Sequence, residues 1–348
     1  MNSLLKTVIL LFLSLLLFSC SITRIEKKSN QNKNTIILDE VDFTQIPLIG
    51  EVSDRRAEIS GLCWYNDKLI LLPQFPDRFS DSDYGKIYYI EKDKILNFLS
   101  GKDTSAISPN FFSINTNEFS ELFGRGSGFE AVTIHNNTAY FSIESMNMGK
   151  TVSYLINGSI DSVSKTITLK KETLVKVPSK LNINNIGNES ILFWKNQIIP
   201  IYEANGKNIN PTPEIAIYDT NSNFLKKIPF PNIEYRITDV TSVNKGNKFW
   251  AINYFYPGEA KKLKPASDNL ANKFGIGKSN LASKYIERLV QFEIDSNNIK
   301  LTDTYPIYIK LPKTDGRNWE GIVKLDKQGF LIVTDMYPKT ILAFIRTK

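Results

Sequence analysis

The 348-residue chain contains only two cysteines, Cys20 and Cys63, and a single histidine, His135. So few thiols exclude a disulfide framework, a Cys-x-x-Cys redox motif and a thiolate zinc site. One histidine leaves no His-rich metal cluster, and any Ser-His or Cys-His nucleophile would depend on that residue alone. Long apolar runs are also lacking. The most apolar stretch, Val8 to Phe18, falls short of the roughly 20 residues that span a membrane. Charge of one sign is scarce: a net +7 slightly favours anionic partners but is far from the basic stripe of a nucleic-acid binder. What the chain does have is 42% hydrophobic and 11% aromatic residues, enough to bury a large core and to exclude general disorder.

Residues 1–19 hold one charge, Lys6, then the apolar run, and end at Ser19-Cys20. A positive start, a short apolar core and a small residue before the cut describe a secretory signal. Leu17-Phe18-Ser19-Cys20 also resembles a bacterial lipobox, in which Cys20 is lipidated and becomes the mature N-terminus; an ordinary signal is the alternative. Residues 20–34 are polar and rich in Lys and Asn, the composition of a flexible tether. The reading is therefore a protein of the cell envelope, held to a membrane through Cys20, with its folded domain over residues 35–348 and read as a monomer.

From Thr35 onward, short runs of Val, Ile, Tyr, Phe and Thr alternate with Asn, Asp, Gly and Lys turns, the pattern of an all-β chain. The best helix candidate is Ser279 to Glu287. Five related segments recur: Glu58-Ile-Ser60-Gly-Leu62, Phe129-Glu130-Ala-Val132, Asn188-Glu189-Ser-Ile191, Asp239-Val-Thr241-Ser-Val243 and Trp319-Glu320-Gly-Ile322. A turn follows each, then a second apolar strand that finishes on a polar residue: Gln74, Glu144, Glu203, Asn253 and Asp335. Ser60, Glu130 and Glu189 each lie fourteen residues before that polar end; in the fourth repeat the same interval points to Asp239 instead of Thr241. A third strand follows each hairpin, over residues 86–91, 152–156, 214–218, 289–294 and 341–344. Antiparallel sheets of three to four strands repeated at this spacing predict a β-propeller, with five blades, or six if 100–123 or 256–282 hides a degenerate one. The last blade lacks an outer strand, which Ile36 to Val41 would supply to close the two chain ends.

If each repeat opens an innermost strand, one residue per blade faces the central channel. The aligned positions are Ser60, Glu130, Glu189, Thr241 and Glu320. Three close carboxylates need a counter-ion, and oxygen-only ligands suit a hard cation such as Ca²⁺. The bland alternative is that these residues bond backbone amides at blade junctions. Glu58 and Asp239 lie two residues before Ser60 and Thr241 and form an outer layer, so either is a candidate general base. The remaining signals are quieter. Gly124 to Gly128 lacks the helix a phosphate loop needs and reads as a turn. Asp77, Asp81 and Asp83 read as a solvated loop, His135 as a turn residue, and Cys63 as a small buried hydrophobe. Gly258 to Lys284, with six lysines, is a basic lid or a mobile insertion.

Several segments resemble a known family. Ile59-Ser60-Gly61-Leu62, Gly128-Phe-Glu130-Ala, Asn185-Ile-Gly-Asn188-Glu189, Tyr235-Arg-Ile-Thr-Asp239, Glu287-Arg288-Leu289, Arg317-Asn-Trp-Glu320-Gly-Ile322 and Val333-Thr-Asp335 are similar, in order, to the phytase-like ("esterase-like activity of phytase") domain. The Ser, Glu, Glu, Ser/Thr, Glu set is also similar to the central calcium site of five-bladed, calcium-activated apyrases. Asn188 and the residues after Asp335 depart from the phytase-like pattern. The resemblance implies a channel Ca²⁺ and hydrolysis of a phosphorylated small molecule, with a non-catalytic binding or scaffold propeller as the competing class.

Overall fold

The computed structural model describes residues 35–347 except 81, 116–120, 124–126, 148, 180, 182 and 313–314. The signal, Cys20 and the tether lie outside the described residues, as do Asp81 and most of the Gly124–Gly128 turn.

The chain starts with three short strands, β1 (Ile37–Leu38), β2 (Glu40–Val41) and β3 (Thr44–Ile46), and then builds five antiparallel sheets. The first sheet is β4 (Ile59–Tyr65), β5 (Lys68–Pro73), β6 (Tyr84–Glu91) and, beyond helix α1 (Lys92–Leu99), β7 (Asn110–Asn115). The second is β8 (Gly128–His135), β9 (Thr138–Asn147), β10 (Lys150–Asp161) and β11 (Thr166–Val177). The third is β12 (Asn188–Trp194), β13 (Gln197–Tyr202), β14 (Glu214–Asp219) and β15 (Phe224–Pro229). The fourth holds β16 (Arg236–Val240), β17 (Lys248–Phe255), β19 (Ile286–Ile294), β20 (Ile299–Leu301) and β21 (Ile307–Ile309). Between β17 and β19 lie helices α2 (Ala260–Leu263) and α3 (Asn269–Phe274), strand β18 (Ile276–Gly277) and helix α4 (Lys278–Ser283). The fifth is β22 (Trp319–Leu325), β23 (Gly329–Thr334) and β24 (Leu342–Arg346). The innermost strands touch in a closed cycle: β4 against β8, β8 against β12, β12 against β16, β16 against β22, and β22 against β4. That cycle makes the fold a five-bladed β-propeller.

Strand alternation explains why the second strands are apolar throughout. Successive side chains leave a strand on opposite faces, and each blade is covered on both. Leu69 and Leu71 pack with Val323, Leu331 and Phe344 of the fifth blade. Ile70 and Leu72, one residue out of phase, pack with Phe129 and Phe141 of the second. Corresponding cores fill the other three seams, with Tyr140 beside Ile191, Leu192 beside Phe249, and Trp250 beside Phe330. Each fully buried Leu, Ile or Phe contributes about 1.5–3 kcal/mol, so the seams hold the ring together.

The ring closes through its chain ends, though by a different segment from the expected one. β3 pairs with β24, setting Ile46 opposite Leu342 and Thr44 opposite Phe344. The Ile36–Val41 stretch runs along the fourth blade instead: β1 pairs in parallel with β18, and β2 in parallel with β21. Blades one and two are continuous at their outer edges, where β7 pairs in parallel with β11. The helix expected over 279–287 is confined to α4, because Ile286 already enters β19. Helix α1, with Ile95 buried, was not foreseen.

Candidate functional site

Every innermost strand carries a β-bulge at its start. The register slips between Ile59 and Gly61, Phe129 and Ala131, Asn188 and Ser190, Ile237 and Val240, and Trp319 and Gly321. The bulged residues are Ser60, Glu130, Glu189, the pair Thr238–Asp239, and Glu320. A bulge re-aims a side chain out of the regular alternation, and here the repeat motif is the bulge. Thr241 is therefore out of place in the aligned set: its hydroxyl accepts from Trp250 N at 3.0 Å, one turn of the hairpin away.

The five positions divide into two roles. Ser60 and Thr238 donate to the carbonyls of Phe129 and Trp319, at 2.7 and 2.6 Å, each in the next blade's innermost strand. Asp239 accepts from Val240 N and Ile322 N at 2.8 Å, and from Leu62 N at 3.4 Å. It thereby fastens the fourth blade to the fifth and the first. Burial pushes its carboxyl well above the usual range, against those backbone bonds. Asp239 thus ties the seam together through these three amides.

The three glutamates form the second group, and an arginine side chain is the counter-ion of two of them. Nη2 of Arg236, on β16, lies 2.9 Å from both carboxylate oxygens of Glu189 and 3.6 Å from Glu320; its Nε donates to Glu203. Glu130 accepts from Gln74 Nε2 at 2.7 Å, and Glu320 from Asn318 Nδ2 at 2.6 Å. Burial pushes the carboxyls of Glu130, Glu189 and Glu320 well above the usual range; Glu144 adds to this for Glu130, Arg236 opposes it for Glu189, and Asp335 adds to it for Glu320. Of the expected five-oxygen set, Ser60 and Thr241 bond backbone groups, and Glu189 and Glu320 share Arg236. Among the described residues no group of three or more His, Cys, Asp and Glu side chains is placed to hold a metal ion.

The strand ends build a second tier. Glu144 is raised to about 7, by burial and then by Glu203; Asp335 is raised to about 6, by burial and then, against a backbone bond, by Glu58. Glu58, in left-handed backbone at φ 44°, is ion-paired with Arg78. Asp335 lies 3.4 Å from Asn318 Nδ2, at the edge of a cavity of about 450 Å³ walled by Tyr254, Tyr256, Tyr285, Tyr337, Arg236 and Glu259. The insertion between β17 and β19 supplies part of that wall and is well braced. Glu40 Oε1 accepts from Ser279 N and Asn280 Nδ2 at 2.8 and 3.0 Å, and Asp268 pairs with Arg288 at 2.7 Å.

Arg236 was missed as a site residue, although it lies three positions before the fourth motif. The polar strand ends were visible but unassigned, because only the bulges bring them beside the first set. His135 is exposed at the end of β8, next to the turn, and stacked on Phe193 at 4.0 Å, and Cys63 is buried. Asp77 and Asp83 are exposed.

No protein-family model matches this sequence, and no curated protein is similar to it. Among solved structures, a glucose dehydrogenase is 10% identical with a TM-score of 0.47, over 88% of this chain and 99% of that one. A putative glycoside hydrolase from Bacteroides ovatus is 12% identical with a TM-score of 0.46, over 90% and 98%. An α-L-arabinanase from Cellvibrio cellulosa is 10% identical with a TM-score of 0.44, over 83% and 91%. The fold and site described above rest on strand pairing and side-chain contacts, not on these likenesses.

Proposed function

We propose that the channel mouth is a carboxylate-based hydrolase site that cleaves acetal C–O bonds, with Asp335 as general acid and Glu58 as the partner carboxylate. The observation that supports it most is the pairing of these two acids. Asp335 is half-buried with its carboxyl raised to about 6, by burial first and by Glu58 among the further causes, and Glu58 is itself ion-paired with Arg78. Two neighbouring carboxyl groups can divide the work, one protonating a leaving oxygen and the other activating water or attacking carbon. The surrounding charge suits the same chemistry. Glu189, Glu203, Glu259 and Glu320 surround one arginine, Arg236. A site faced by acids rather than by free cations suits the positive charge that develops at an acetal carbon better than the anionic transition state of ester cleavage. In the proposed step the Asp335 proton passes to the leaving oxygen as its bond to carbon breaks. Glu58 takes the proton of the incoming water, or bonds the carbon transiently.

Release of reducing ends from oligosaccharides tests this reading. Activity is expected to fall as pH rises through about 6, and Asp335→Asn to lower kcat by about 10²–10⁴-fold. Full activity in Asp335→Asn would refute it.

A second reading follows from the same cluster of acids, which a metal ion could ionise: a Ca²⁺ placed over these carboxyl groups, with hydrolysis of a phosphorylated small molecule. Calorimetric titration with Ca²⁺, and phosphate release with and without chelator, separates the two. The Leu17–Cys20 motif supports anchoring to the cell envelope by lipid at Cys20, and Cys20→Ala is then expected to leave the membrane fraction.

A further inference from the structure

The tyrosine-lined cavity is not needed to bring Asp335 and Glu58 together, yet it is built with care. Tyr256 and Tyr285 face each other with ring centroids 5.7 Å apart, inclined at 32°. Each lies against a glycine. A Cβ on Gly258 would come within 2.4 Å of the Tyr256 ring, and one on Gly316 within 2.2 Å of the Tyr285 ring. Both rings are therefore held where only a bare backbone admits them. Tyr256 and Tyr337 remain 46% and 44% exposed, so these aromatic faces are open to solvent at the rim. Behind them Asn318 Oδ1 is shut away from water without a hydrogen-bond donor, and Glu259 Oε2, also without one, has only Arg236 Nη1 at 3.8 Å. Buried acceptors without partners are costly and call for a ligand that brings N–H or O–H groups. Arg236 at the base is already engaged by Glu189 and Glu203, so it is not free to receive an anion. Glu259 and Asp315 in the wall add negative charge.

We propose that this cavity is a subsite for an uncharged sugar ring, stacked by its apolar face on the exposed ring of Tyr256, which Tyr285 backs, with hydroxyls donated to Asn318 and Glu259. The substrate is then an oligosaccharide of neutral units, one ring in this subsite and the next bond at Asp335 and Glu58. Aromatic rings carry a flat apolar face beside a polar edge, which matches a sugar. The same walls reject uronate or sulfated rings, whose charge would meet Glu259 and Asp315. This inference rests on the acetal-hydrolase reading for the identity of the bond, but its test does not use turnover.

Calorimetric titration of Asp335→Asn with cello-, xylo-, manno- and arabino-oligosaccharides, and with oligogalacturonate, measures binding without cleavage. At least one neutral series is expected to bind, and oligogalacturonate to bind at least tenfold more weakly. Gly316→Ala, which keeps every aromatic but forces Tyr285 aside, should weaken binding at least tenfold with an unchanged melting temperature. Tyr285→Phe should retain it. Binding of no neutral oligosaccharide at millimolar concentration, equal binding of oligogalacturonate, or an unaffected Gly316→Ala would each overturn the subsite. Binding without any hydrolysis by the wild-type protein would overturn the acetal-hydrolase reading and leave the subsite standing.

Discussion

Arg236 Nη2 sits 2.9 Å from each carboxylate oxygen of Glu189, in the channel position where the sequence pattern asks for a metal cation. A guanidinium on one innermost strand thus neutralises carboxylates on two others. The charge balance of the channel is written into the fourth blade.

Removing that charge should be expensive. Arg236→Met leaves Glu189 and Glu203 buried without their partner, a class of change that costs about 3–5 kcal/mol. Urea unfolding at pH 7 measures it. The loss should shrink near pH 4, where the orphaned carboxyls can take up protons. Equal loss at both pH values would mean that Arg236 acts by packing rather than by charge.

The raised acids make stability depend on pH in a definite direction. Glu144 and Asp335 hold their protons in the folded state up to about 7 and 6, whereas the unfolded chain releases them near the ordinary carboxyl values of 4.5 and 3.8. The folded state therefore binds more protons between about pH 4 and 7, and stability falls as pH rises through that window. The change is on the order of 3 kcal/mol for each group, and Glu144→Gln should flatten it. A stability curve that rises from pH 5 to 7 in wild type would contradict the assignment.

Asp239 should behave as a fastener. Asp239→Ala strands the amides of Leu62, Val240 and Ile322 inside the channel and should destabilise by about 2–4 kcal/mol. Asp239→Asn, which keeps an acceptor, should recover part of that. A stable but inactive Asp239→Asn would return the residue to catalysis.

Ring closure by β3 predicts a sharp boundary in truncations. A chain beginning at Thr35 should melt like the full protein. One beginning at Leu48 loses the partner of β24 and should melt far lower. Similar melting temperatures for the two would show that the outer strand of the fifth blade is dispensable.

The blades were legible because both faces of every sheet are buried, which writes continuous apolar runs such as Leu69 to Leu72 between regular turns. The channel glutamates were legible because the bulge repeats with the strand. The fourth blade was not, since its bulge spans two residues, Thr238 and Asp239, and shifts the alignment onto Thr241. Arg236 escaped because a buried arginine gains meaning only from the three-dimensional position of its acids. The insertion after β17 was ambiguous for a similar reason: its order comes from Glu40, more than 200 positions away.

The parallel join between β7 and β11 makes the five seams unequal. Blades one and two share an outer edge, whereas the third blade meets its neighbours without strand pairing at its rim. A circularly permuted gene that opens the chain between β11 and β12 would cut a connection no sheet crosses. One that opens it between β7 and β8 would cut within the pair that is continuous among the described residues. The propeller is therefore better described as a fused doublet and three single blades than as five interchangeable units, and its tolerance of new termini should follow that division.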